Sequence, residues 1–148
     1  MLLHGLPKYL IQRVQKVQNS AARVIAMIPK REPITPYLAD LHWLPVQQRV
    51  EYKVLLYTYK ALNNISPQYI SDLLDPYKPK RSLRSETQNR LEPPPRSARY
   101  VAYGGRSFKH AAPALWNTIP DDLRNACSLP LDSFKRKLKT YLFSKAYF

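Results

Sequence analysis

Proline punctuation constrains this chain more than any other feature. A proline lacks the backbone N–H and its ring clashes with the preceding turn, so helices start readily at a proline and stop before one. Fourteen prolines in 148 residues cut the sequence into short segments, and several of these carry helical apolar spacing. Pro7 opens the first segment and Pro29 closes it. Between them Leu10, Val14, Val17, Ala21, Val24 and Ile28 recur every four and three residues. At about 100° per residue these positions form one stripe, with Lys16, Arg23 and Lys30 nearly opposite. The spacing predicts a helix that packs through the valine stripe and displays a cationic row.

Thr35-Pro36 reads as N-cap and first residue of a short helix ending near Leu41. Pro45 opens a longer one, to about Leu62. Val46, Val50, Val54, Tyr57 and Ala61 line one side of it, and Tyr52, Leu55, Leu56, Tyr59 and Leu62 the other. A helix apolar on two sides is surrounded by protein, so this is the expected central core helix. Ser66-Pro67 starts a short helix through Leu74, with Tyr69, Ile70, Leu73 and Leu74 inward.

From 75 to 106 the periodicity disappears, and five prolines fall there, including Pro93-Pro94-Pro95. A connection of 32 residues exceeds the usual limit of about 12–15, which marks a functional or disordered segment. The expectation is an extended basic arm lying over the helices. Within it, 99–103 reads as a short strand closed by Gly104-Gly105, with 89–92 as its candidate hairpin partner. Helical signals return at 107–116, where Pro113 is expected to distort or divide the helix. Pro120 with Asp121-Asp122 opens a further turn, and Asp132 N-caps the last helix. That helix turns Phe134, Leu138, Tyr141 and Leu142 inward and Lys135, Arg136 and Lys139 outward. The predicted class is mainly α: a helical region over 1–74, a basic Pro-rich arm over 75–106, and a C-terminal helical segment over 107–148 packing on the first. One short β-hairpin is its expected extended element.

Charge narrows the partner. Twenty-four Lys and Arg against ten Asp and Glu give +14, and the excess is clustered. Lys8, Arg13, Lys16, Arg23, Lys30 and Arg31 all precede the first carboxylate, Glu32. The 78–109 stretch includes Lys80, Arg81, Arg84, Arg99 and Arg106, with Glu86 and Glu92 as its acids, and 133–148 carries Lys135, Arg136, Lys137, Lys139 and Lys145 without an acid. Such clusters suit a phosphate backbone, where each neutralised phosphate releases condensed counterions. The alternative is a solvated surface with no partner. The candidate contacts to an RNA or DNA backbone, without sequence preference, are Arg13, Lys16, Arg23, Lys80, Arg81, Arg84, Arg99, Arg106, Lys135, Arg136 and Lys139. Tyr100 and Tyr103 are candidates either to stack on unpaired bases or to pack the arm onto the helices.

Other classes fit poorly. The basic segments lack the Trp/Phe-rich apolar face of a membrane-surface helix, and no apolar run approaches the roughly 18 residues of a span. The start, MLLHGLPKYLIQR, lacks a signal-peptide cleavage site. A lone Cys127 excludes a disulfide framework and a cysteine-built zinc site. These features predict a soluble intracellular protein, nuclear or cytoplasmic, with no membrane partner. His4, His42 and His110 show no metal-ligand spacing, Gly104-Gly105 is not a P-loop, and no G-x-S-x-G elbow is present. Asp121-Asp122 follows Pro120 at a helix start, where capping and the helix dipole account for it. The expectation is no catalytic residue, no metal and no cofactor.

Six strings occur in order: LPKYLIQRVQKVQNSAARVI, ITPYLADLHWLPVQQRVEYKVLLYTYKALN, PQYISDLL, RSLRS, AAPALWNTIPDDLR and SFKRKLKTYLF. Together, from about Leu6 to Phe143, they resemble the region downstream of the polymerase core in LINE-type, jockey-like non-LTR retrotransposon reverse transcriptases. The resemblance implies a post-palm, thumb-like helical region and basic tail from a polyprotein whose endonuclease, fingers and metal-binding palm lie upstream. The first helix, with Gln12, Arg13, Gln15, Gln18 and Arg23, would then match thumb-like helices facing a template–primer duplex. The polymerase palm would be its former partner. The chain departs from the pattern at 86–95, ETQNRLEPPP, where the family reads as an apolar strand. Asp121-Asp122 does not match the palm's aromatic-x-Asp-Asp, since Ile119 stands in the aromatic position.

The expected function is therefore that of a truncated fragment of an RNA-directed DNA polymerase polyprotein, retaining sequence-independent nucleic-acid binding. The alternative is a helical protein-interaction module with no nucleic-acid role, using the stripe from Leu10 to Ile28. A metal-dependent nuclease or transferase built on Asp121-Asp122 is a third reading.

Overall fold

The helix α3, Val46–Leu62, is the element on which the others are arranged. A computed structural model describes residues 3–78, 89–93, 106–125 and 129–148. Within them lie α1 (Lys8–Ala26), α2 (Thr35–Asp40), α4 (Gln68–Ser71), α5 (Phe108–Trp116), α6 (Asp121–Arg124) and α7 (Leu131–Tyr147). The molecule is mainly α, as the proline-bounded periodicities predict. No helix among the described residues is long and apolar enough to cross a membrane.

The C-terminal half of α3 is enclosed by protein. Val54, Leu55, Leu56, Thr58, Tyr59 and Ala61 are buried, and α5 and α7 pack against this helix. The Tyr59 ring stacks on Phe134 of α7 at 3.8 Å, and Trp116 of α5 lies 6.3 Å from the same ring. The Tyr59 hydroxyl donates to the Leu129 carbonyl, so its polar end is satisfied as burial requires. Tyr57 departs from the expected stripe. It is 40% exposed and carries Lys60 Nζ 5.8 Å from its ring centre, an arrangement that suits a side chain with a polar tip.

α1 is turned relative to the expectation. Its buried residues are Gln18 and Ala22, whereas Val17 and Val24 are 69% and 77% exposed. The cause lies at the start of α3. That helix begins after Pro45, which supplies no side-chain cap, so its first N–H groups need partners from elsewhere. Gln15 Oε1 accepts the Val46 N–H at 2.8 Å, and Gln18 Nε2 donates to the Leu44 carbonyl at 2.9 Å. Leaving buried backbone groups unpaired costs about 1–3 kcal/mol each, and this demand sets which side of α1 faces inward. α1 closes at Met27 in the left-handed conformation (φ 51°), with the Ile28 N–H bonded back to the Arg23 carbonyl at 3.2 Å.

Smaller differences follow. Thr35 lies inside α2 rather than capping it, with Ile34 at the N-cap. α4 stops at Ser71, leaving Tyr69 and Leu73 exposed while Leu74 is buried. α5 runs through the buried Pro113 without division. α7 starts at Leu131 after Pro130, placing Asp132 in its first turn instead of at the cap.

The described parts of 75–106 are docked onto the helices. Pro76 and Leu91 form an isolated antiparallel bridge, flanked by Tyr77 N–H to Arg90 O at 2.9 Å and Glu92 N–H to Asp75 O at 2.8 Å. Leu91 is 1% exposed and belongs to the main core. The Asn117 side chain holds both of its backbone groups, at 3.0 and 2.8 Å, and Trp116 Nε1 donates to Asn89 O at 2.9 Å. The 89–92 segment thus pairs with 75–77. A side-chain amide that mimics a strand edge lets this polar stretch bury its one leucine. The expected strand at 99–103 and its Gly104-Gly105 turn lie outside the described residues.

Candidate nucleic-acid interface

The outward side of α7 continues across to the first half of α3. On α7 the inward positions Phe134, Leu138 and Leu142 are buried, which leaves Arg136, Lys139 and Thr140 exposed on the far side. On α3 the buried residues concentrate from Val54 onward, and Arg49 and Lys53, one turn apart, are exposed before it. The connector His42-Trp43-Leu44 joins the two. His42 takes a left-handed backbone (φ 54°), and its ring lies 5.7 Å from Phe143, which in turn lies 4.7 Å from Tyr147. The Tyr147 hydroxyl donates to the Trp43 carbonyl, fixing the connector against α7. Burial of Tyr147 holds its phenol above the ordinary value.

Open depressions run along this seam. One, of about 390 Å³, is lined by His42, Arg136, Lys139, Thr140 and Phe143. The next shares His42 and Lys139 and adds Arg49, Tyr52 and Lys53. A third shares Arg136 and Thr140 and adds Lys137 and Asp122. Arg49, Lys53, Arg136 and Lys139 form no ion pair among the described residues. Asp122, on the third depression, forms no ion pair among the described residues, whereas two other nearby acids are already engaged. Asp132 meets Lys135 at 2.9 Å, which holds its carboxyl below the usual range and raises the Lys135 ammonium. Glu51 meets Lys145 at 3.1 Å. A surface of unpaired cations beside aromatic rings can hold phosphate oxygens and offer rings for stacking.

No family model, curated protein or solved structure matches this chain. What the chain does is argued from its own surface.

The residues singled out in the sequence fall into separate groups. Arg136 and Lys139 line the seam, and Lys135 sits beside it with its charge shared with Asp132. Arg13 and Lys16 are exposed on α1. Lys16, Arg23 and Lys30 line a depression of their own that shares no residue with those along α7. Arg23 is half-buried, and its guanidinium donates to the carbonyls of Pro29 at 2.7 Å and Glu32 at 2.8 Å. It locks the turn after α1. Arg106 is exposed at its end, while its stem packs on Gly5, where an added Cβ would sit 2.8 Å from Arg106 Cγ. Lys80, Arg81, Arg84, Arg99, Tyr100 and Tyr103 lie outside the described residues, as does Cys127.

Sequence reasoning missed Arg49, Lys53, His42 and Lys137. The signal was present: Arg49 and Lys53 are four apart in the one part of α3 where apolar positions thin out. Asp121, the first of the acidic pair, is ion-paired with Arg124 three residues on. Arg124 also donates to the Asn117 carbonyl at 3.1 Å. No group of three or more His, Cys, Asp or Glu suited to a metal ion occurs among the described residues.

Proposed function

We propose that this chain binds RNA or DNA through its phosphates, without sequence preference, along the seam between α7 and the first half of α3. We further propose that it derives from the post-palm region of a non-LTR retrotransposon reverse transcriptase. The observation that carries the binding reading is that Arg49, Lys53, Arg136 and Lys139 are exposed, unpaired among the described residues, and line adjoining depressions. The net charge of +14 adds long-range attraction for any polyanion. The six ordered strings support the origin.

The test is fluorescence anisotropy of a labelled oligonucleotide against salt. With four single-strand phosphates engaged, log K falls with log salt at a slope near −3, a loss of about 50-fold between 50 and 200 mM. R136E/K139E flattens that slope and weakens binding for every sequence tried. Binding that is insensitive to salt, or unchanged in R136E/K139E, defeats the reading.

A further inference from the structure

We propose that α1 is a docking helix for an amphipathic helix of another protein, one with an apolar heptad seam and acidic flanks. This proposal is independent of nucleic-acid binding. Val14, Val17, Ala21 and Val24 are exposed in the folded chain. Their 3–4 spacing, preceded by the half-buried Leu10, is the a/d repeat of a coiled-coil seam. Five positions from Leu10 to Val24 give a strip about 21 Å long at 1.5 Å per residue. The core formed by the described residues does not use it, and α1 cannot roll to bury it without breaking the Gln15 and Gln18 bonds to the start of α3.

Charge decides the occupant. The first 31 residues contain no carboxylate; Arg13 borders the seam, and Lys8, Lys16, Arg23, Lys30 and Arg31 give the rest of this segment the same sign. A second copy would bring another cationic helix, on a chain of net charge +14, against these flanks. Like charges juxtaposed across an interface are unfavourable, whereas Glu or Asp flanks on the incoming helix complement them.

The probe is a pair of synthetic helical peptides with leucine at a and d, one with Glu and the other with Lys at e and g. Both are titrated against the full-length chain at 150 mM salt. The Glu peptide is expected to bind at least tenfold more tightly than its Lys twin. V17S/V24S lowers that affinity tenfold or more with circular dichroism unchanged, and R136E/K139E leaves it as it was. Equal binding of the two peptides, or no binding, overturns the proposal. So does loss of the Glu peptide in R136E/K139E with retention in V17S/V24S, which would place the acidic probe on the other cationic surface. Sedimentation showing a wild-type dimer that V17S/V24S dissociates also overturns it, in favour of self-association. Oligonucleotide binding by V17S/V24S equal to wild type keeps the two readings separable.

Discussion

α1 and α7 look alike in the sequence and are used in opposite ways. Each has an apolar stripe at 3–4 spacing and basic residues away from it. α7 buries the stripe: Phe134, Leu138 and Leu142 are each at most 1% exposed, and its cations face out. α1 buries Gln18 and Ala22 instead, with Gln15 half-buried beside them, and leaves its valines in solvent. Periodicity defines a face but not the direction it points. For α7 the large Tyr59 and Trp116 rings fill the inward side, so hydrophobic burial decides. For α1 the neighbour is the unfinished start of α3, and hydrogen bonds decide.

The largest effect that would sharpen this contrast belongs to α7. Phe134→Ala removes a ring stacked on Tyr59 and close to Trp116 and costs about 3–5 kcal/mol by urea denaturation. Against a total of about 5–15 kcal/mol this brings the chain near unfolding. Leu91→Ala is next, at about 2–5 kcal/mol. A loss below 1 kcal/mol there would mean that 89–92 is not part of the core.

On α1 the expectation inverts what the sequence stripe implies. Gln15→Ala strips the Val46 N–H of its acceptor and costs about 1–3 kcal/mol. The V17S/V24S substitutions stay within about 0.5 kcal/mol per site, as surface changes do. If the valine changes cost more than Gln15→Ala, α1 packs as its periodicity predicts and the comparison with α7 collapses.

The smallest effect is one of pH. Burial outweighs the attraction of Glu51 and holds the His4 imidazole below its ordinary value of 6.5. The unfolded chain therefore takes up a proton before the folded one. Stability is fully present above 6.5 and falls as the pH drops through the depressed folded value. His4→Gln should remove that component from the stability-versus-pH curve, measured by thermal melts between pH 7.5 and 5. An unchanged acid limb would show that His4 ionises as freely in the folded chain as in the unfolded one.

Much of the fold was legible because prolines and apolar spacing act locally. Pro7, Pro45, Pro67 and Pro120 each precede a helix, and the surrounded character of α3 follows from apolar residues on two sides. The docking of 89–92 was not legible, since its one buried leucine depends on an amide 26 residues away. The seam was half legible. Arg136 and Lys139 stand out beside the Phe134 stripe, but Arg49 and Lys53 join them only when α3 and α7 are side by side.

The amino-acid order alone determined that this chain is helical and where most helices start, because these depend on residues within a few turns of one another, and it fixed the net charge of +14. Tertiary structure decided which side of α1 is buried, which cations share a surface, and that Arg23 serves the turn after α1. Those outcomes depend on which backbone groups at the start of one helix lack partners, and that is known only once a second helix lies against it.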